Sequence, residues 1–179
     1  MARELQIVPA TAEMLPEILR LEEACFSAPW TRKMLEAELT GNQFAHFLVA
    51  MDQENAGASA GMIVGYHCFW IVFEELRLMN LAVRESMRRR GIGRALVTES
   101  IRLGLAQATT RAVLEVRATN EAARTLYQRM GFVQISTRPK YYTNPVEDAV
   151  LMEMDPLVMQ EGSLQDRESV VGGGSVSAH

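Results

Sequence analysis

The sequence predicts an α/β fold: a central, twisted, mixed sheet of about seven mostly antiparallel strands, flanked by about four helices. Three observations carry this. Seven short segments alternate polar and apolar residues or are rich in β-branched ones, and four others place apolar residues at helical spacing. Three consecutive strand segments between Phe44 and Val83 are joined by short links, the pattern of an antiparallel meander. The full order, β-α-α-β-β-β-α-β-α-β-β, needs helices on the faces of one sheet.

Each element has a local reason. Glu4 to Val8 alternates as a half-buried strand. Thr11 precedes Met14, Pro16 falls in a first helical turn, and Leu15, Ile18, Leu19 and Glu22 follow at helical spacing to about Cys25. Pro29 and Trp30 break that helix, and Thr31 can cap a second one running to about Leu39. Phe44 to Met51 and Met62 to Phe73 read as strands around a polar loop, Asp52 to Gly61. Leu76 to Val83 is a third strand. Gly91 to Ala108 is a helix carrying Ile92, Ala95, Leu96, Ile101 and Leu105. Arg111 to Arg117 is a strand, and Asn120 to Met130 a helix closed by Gly131 in a left-handed cap. Phe132 to Thr137 and Ala149 to Met154 are the last two strands, with an aromatic loop around Tyr141 between them.

Composition bounds the function. A chain of 179 residues, 48% hydrophobic and 22% charged, can bury one sizeable core. Residues 1–155 are expected to form one domain, and the polar stretch 156–179, ending in a glycine run, a disordered tail. Cys25 and Cys68 are too few and too far apart for a disulfide framework, and no metal site is expected. The N-terminus lacks a signal segment and no apolar run spans a bilayer, so the expected location is the cytosol, with no membrane partner. The net charge of −4 argues against nucleic acid, yet Arg84, Arg88, Arg89, Arg90 and Arg94 lie within eleven residues. Such a cluster suits one compact polyanion, such as a nucleotide cofactor.

That cluster frames Arg88-Arg89-Arg90-Gly91-Ile92-Gly93-Arg94, between a strand and a helix. Unpaired N–H groups in a helix's first turn, with its positive dipole end, bind pyrophosphate. Two glycines let the backbone approach the phosphates, and arginines add charge-assisted bonds. A Rossmann fingerprint would want glycine where Leu96 stands, and a P-loop would want lysine and Ser/Thr where Arg94 and Ala95 stand.

Arg-x-x-Gly-x-Gly at a strand-to-helix turn resembles the acetyl-CoA pyrophosphate loop of the GNAT acetyltransferases. Further motifs resemble the RimI-type ribosomal-protein-alanine N-acetyltransferases: Leu114-Glu115-Val116-Arg117-Ala118-Thr119-Asn120, Leu126-Tyr127, Gly131-Phe132, Phe26 with Pro29-Trp30, Asn80-Leu81-Ala82-Val83, Tyr141-Tyr142 and Glu147-Asp148-Ala149. The resemblance spans roughly residues 4 to 155. It implies the GNAT fold, acetyl-CoA as donor, and the α-amine of a protein N-terminus as acceptor, a ribosomal protein beginning with alanine being the family's substrate. Alternatives are a small amine or a lysine side chain as acceptor, or a non-catalytic acetyl-CoA-binding module.

Glu115 stands in an otherwise apolar strand, where a carboxylate needs a partner. From the residues alone it is equally a salt-bridge partner, with Arg117 nearest, or a base; alternation puts Val113, Glu115 and Arg117 on one face. From the residues alone Tyr127 reads first as a core aromatic whose hydroxyl is a satisfied polar handle, and second as a proton donor. The resemblance implies that Glu115 is the general base and Tyr127 the general acid. It further implies that Arg88 to Arg94 hold the pyrophosphate, that the backbone of Leu81, Ala82 and Val83 binds the acetyl and pantetheine groups, and that Asn120 binds the cofactor. Trp30, Tyr141 and Tyr142 would wall the acceptor groove.

Overall fold

The seven alternating segments pair as expected. In the computed structural model, which describes residues 5–53 and 61–160, the strands are β1 (Leu5–Pro9), β2 (Ala45–Asp52), β3 (Met62–Val72), β4 (Glu75–Val83), β5 (Arg111–Arg117), β6 (Val133–Thr143) and β7 (Val146–Met154). They form one sheet in the order β1-β2-β3-β4-β5-β7-β6, and only β4 and β5 run parallel. The helices are α1 (Leu15–Cys25), α2 (Arg32–Glu36), α3 (Ile92–Ala106) and α4 (Glu121–Arg129); a π turn, Ala37–Gly41, extends α2. No helix among the described residues is long and apolar enough to cross a membrane.

Strand alternation divides the core between the two faces. Phe47, Val49 and Ile63 meet Leu15, Ile18, Leu21 and Leu35 of α1 and α2. Leu48, Val64, Leu78 and Leu114 meet Ile92, Leu96, Ile101 and Tyr127 of α3 and α4. The ends follow local chemistry. Thr31 accepts from the Met34 N–H at 3.3 Å, Asn120 caps α4, and Gly131 (φ 99°) closes it. Thr11 supplies no side-chain cap and heads only a short 3₁₀ turn, Ala12–Met14.

One expectation is corrected. The aromatic loop around Tyr141 is strand: β6 continues to Thr143, and the hairpin turns at Asn144-Pro145 before β7 resumes at Val146. Pro139 and Lys140 (φ 51°) hide the strand in the sequence, because they fall where the β6–β7 register shifts, between Arg138 and Tyr142. On an edge strand a proline's missing N–H leaves no partner unsatisfied. The Lys140 N–H is instead taken by Asp148 Oδ1 at 2.8 Å. Order also persists past residue 155: Leu157 is buried and donates its N–H to Thr110 O at 2.7 Å. The remainder of the expected tail, 161–179, and positions 54–60 of the expected polar loop lie outside the described residues.

Leu96 is fully buried under α3, whereas Phe73, in the β3–β4 turn, is 80% exposed. Leu96→Ala is therefore expected to lower unfolding stability by about 2–5 kcal/mol, and Phe73→Ser by less than about 0.5 kcal/mol. Urea titration with an unchanged m-value checks both.

Candidate active site

The site begins where the sheet opens. β4 and β5 pair only from Glu75 with Arg111 to Leu78 with Leu114. Beyond that point Met79–Val83 and Glu115–Arg117 diverge, while β5 stays paired to β7 as far as Arg117. A bulge helps to cause this. On β3, Cys68 faces Asn80 and Phe69 faces Leu78, so Met79 is an extra residue in β4 that bends it. The Arg84 N–H donates to Val64 O in β3 at 2.8 Å. Alternation then turns the backbone groups of Leu81 and Val83 into the fork, and those of Ala82 toward β3. Leu81 and Val83 are two of the three residues expected to bind the donor through their backbone; Ala82, the third, is turned to β3.

At the mouth of the fork lies the diglycine turn. Gly91 is the N-terminal boundary of α3, in the left-handed region at φ 78°, and Arg89 is left-handed too at φ 61°. The first i→i−4 bond of α3 runs from the Ala95 N–H to Gly91 O. The N–H groups of Ile92, Gly93 and Arg94 therefore precede it with no helical partner. A Cβ on Gly91 would meet no atom within 4 Å, so the dihedral, not crowding inside the protein, is what requires glycine. Arg88, Arg89 and Arg90 are all exposed, and Arg88 is turned back, its Nε donating to Val83 O at 3.0 Å. A cleft of about 570 Å³ lies between α1, with Glu17, Arg20 and Cys25, and the segment that leads into this turn, with Arg84, Glu85 and Arg88. Backbone donors, positive charge and open space are what an extended diphosphate requires.

Glu115 stands on the β5 lip of the fork, half-buried. Its partner is Arg138 of β6, at 3.2 Å, rather than Arg117. The correction follows from the hairpin: β6 lies beyond β7 and reaches across to Glu115, while Arg117 is drawn to the turn, donating to Asn144 O and Pro145 O at 3.2 and 3.1 Å and lying 4.2 Å over the Tyr142 ring. The Tyr141 hydroxyl donates to Glu115, and that bond, ahead of burial, raises the phenol above its ordinary value. Tyr142 is pushed up to about 12, first by burial and then by the Glu115 charge. Tyr127, buried on α4 and edge-on to Phe132 at 5.6 Å, is raised by burial and then by Tyr142. One electrostatic neighbourhood thus links Glu115, Tyr142 and Tyr127. Asn120 is exposed at the start of α4, where its Oδ1 accepts the Ala123 N–H at 3.1 Å, leaving its amide NH₂ for a ligand.

The two expected acceptor walls touch. The Ser27 hydroxyl, in the α1–α2 corner, donates to Asn144 O in the β6–β7 turn at 3.1 Å. Trp30 is half-buried in that corner, and Tyr141 and Tyr142 stand edge-on, centroids 5.1 Å apart, in the hairpin. Glu147 braces the hairpin to the end of β5, accepting from the Thr119 N–H at 2.6 Å, from the Thr119 hydroxyl and from Arg117 at 3.3 Å. Arg138, Ser27 and the Glu147–Thr119 brace escape a reading of the sequence because each partner is distant in the chain. The one local signal was a hydroxyl or charge in an aromatic-rich segment.

Comparison with known proteins agrees with this geometry. The acetyltransferase (GNAT) family profile matches residues 15–132. The chain belongs to the GNAT family. It is 30% identical over 142 residues to the [ribosomal protein bS18]-alanine N-acetyltransferase of Escherichia coli K12, covering 78% of this chain and 90% of that protein. A Haemophilus ducreyi protein of the same description is also 30% identical, over 76% of this chain and 90% of its own. The crystal structure of the Escherichia coli ribosomal-protein-S18-alanine N-acetyltransferase superposes with a TM-score of 0.76 at 26% identity, covering 88% of this chain and 97% of that one. Arabidopsis thaliana NAA60 in complex with acetyl-CoA shares the fold at a TM-score of 0.77 and 18% identity, over 84% and 98% of the two chains. This chain is accordingly an N-acetyltransferase of the GNAT type, with the mixed seven-stranded sheet of its structural neighbours.

The Thr119 hydroxyl and N–H, then Arg117, hold the Glu147 carboxyl below its ordinary value of 4.5. A group with a lowered folded-state pKa contributes stability that is fully present above its unfolded value and lost as pH falls through the folded one. The gap in thermal midpoint between the wild type and Glu147→Gln is thus expected to be widest near neutrality and to shrink below about pH 4.5. Thermal scans at pH 7 and pH 3 measure it.

Proposed function

We propose that this protein transfers the acetyl group of acetyl-CoA to the α-amine of a protein N-terminus, a ribosomal protein beginning with alanine being the acceptor. The observation that carries this reading is the β4–β5 fork, with the diglycine turn at its mouth and Glu115 on its lip. Support for the acceptor comes from the relatives that are N-acetyltransferases of the alanine end of bS18. Both fork lips fall within residues 15–132, the segment that matches the family.

In this reading, the N–H groups of Ile92, Gly93 and Arg94, with Arg89 and Arg90, hold the donor's diphosphate; Arg88 props Val83, and Asn120 binds the cofactor from the start of α4. The fork-facing amides of Leu81 and Val83 hold the pantetheine arm and polarise the thioester carbonyl; Ala82, packed in the core, sets their spacing. Near neutral pH much of an α-amine, of pKa about 7.7–8.0, is protonated, and Glu115 draws the proton away through a water. The amine nitrogen attacks the carbonyl carbon, the C–S bond breaks and the sulfur takes the Tyr127 proton, which the second proton leaving the new amide nitrogen replaces by way of water. Burial raises the Tyr127 phenol, so it holds its proton at neutral pH until the developing thiolate takes it. Trp30, Tyr141 and Tyr142 wall the peptide end, and Arg138 orients Glu115.

Incubation with acetyl-CoA and peptides that differ in their first residues, read by mass spectrometry, tests the acceptor. Acetylation of the α-amine of alanine-leading peptides is expected; modification confined to lysine side chains would refute it. Tyr127→Phe and Glu115→Gln are each expected to lower kcat by roughly 10²-fold with the acetyl-CoA Kd retained. Gly91→Val, which must hold a β-branched residue at a left-handed dihedral, is expected to weaken acetyl-CoA binding about tenfold by calorimetry.

A further inference from the structure

Three residues that α1 sends into the core, Leu15, Ile18 and Leu21, are apolar; the fourth is Glu22, only 1% exposed. No Lys or Arg among the described residues pairs with it. Its carboxyl group instead gathers three neutral donors from three other parts of the chain. Oε1 accepts the Trp30 N–H at 2.8 Å. Asn80 Nδ2 reaches Oε1 and Oε2 at 3.1 and 3.3 Å. The hydroxyl of Tyr66, itself fully buried in β3, donates to Oε2. An apolar side chain at position 22 would continue the stripe but would leave the Trp30 N–H, the Asn80 amide and the Tyr66 hydroxyl without this acceptor, a cost in stability that replacing the whole cluster would avoid. What a carboxylate supplies there is direction.

The donors stand at telling places. Trp30 follows the α1–α2 corner that forms one acceptor wall. Asn80 lies between the Met79 bulge and Leu81, at the start of the β4 segment that faces the fork. Its carbonyl is also held, 3.0 Å from Nδ1 of His67, a ring kept neutral because burial pushes its pKa down to about 4. Asn80 therefore has two anchors. For the Trp30 N–H the anchor is Glu22.

We infer that Glu22 is a positioning residue that fastens the acceptor wall at Trp30 to the donor-binding segment of β4, so that the two substrates meet at a fixed offset. This rests on the reading of the fork as an N-terminal acetyltransferase site. Because Asn80 keeps its second anchor and Trp30 does not, loss of Glu22 falls mainly on the acceptor side.

Steady-state kinetics with acetyl-CoA and an alanine-leading peptide test it, alongside calorimetry with acetyl-CoA and thermal scans. Glu22→Leu is expected to keep the fold and to raise the peptide KM roughly tenfold, the scale of one lost hydrogen bond to a charged group, while the acetyl-CoA Kd moves less than about threefold. Glu22→Gln keeps an oxygen for the Trp30 N–H and can donate to the Tyr66 hydroxyl, so it is expected to return the KM to within about threefold of wild type. Glu22→Met fills the same space more adaptably and is read beside the leucine variant. A folded apolar variant with the wild-type peptide KM overturns the inference, as does a glutamine variant that recovers nothing. If neither apolar variant folds, Glu22 serves stability alone and the inference falls. A wild-type protein that neither binds acetyl-CoA nor acetylates any peptide overturns the function and this inference together, whereas an active wild type with an indifferent Glu22 overturns only the latter.

Discussion

The parting of β4 from β5 after Leu78 and Leu114 is the constraint on which the rest of the molecule depends. A parallel pair that continued to Val83 would consume the backbone groups of Leu81 and Val83 in a ladder and leave no room between the strands. The Met79 bulge bends β4, while β5 stays paired to β7 from Ala112 to Arg117. Two lips result, one of exposed main chain and one carrying Glu115. The turn that follows β4 then delivers α3 with its unpaired N–H groups at the mouth. Sheet topology, rather than any single side chain, makes the site.

Around that opening the charges are tied by partners remote in sequence. Glu115 is held by Arg138 and Tyr141 from an edge strand, and Glu147 ties the hairpin back to Thr119 and Arg117. β6, the outer strand of the hairpin, is highly exposed, so it has little hydrophobic burial of its own to fix it. Directional bonds take that task, with Ser27 closing the contact to the α1–α2 corner. The hairpin side of the opening is thus set by polar contacts, while the β4–α3 side is set by main chain and a rigid helix start.

Much of the fold was legible in order along the chain. The periods of the strands and helices, the Thr31 cap and the left-handed Gly131 are local signals, and each is where the residues said it would be. The β6–β7 hairpin was not: Pro139 and a left-handed Lys140 read as loop, and only cross-strand pairing with β7 shows a bulged strand. The partner of Glu115 was likewise misplaced. Arg117 is two residues away on the same face, but Arg138 reaches Glu115 from two strands over.

What the sequence determined by itself was the set of elements, the diglycine turn between strand and helix, and the face on which Glu115 lies, because each depends on dihedrals and periodicity within a few residues. What only the tertiary structure decided was the opening between β4 and β5, the Arg138 and Tyr141 contacts to Glu115, and the junction of Glu22 with Trp30, Asn80 and Tyr66. Those are distances between segments far apart in the chain, fixed by register, bulge and packing, and no local pattern encodes them.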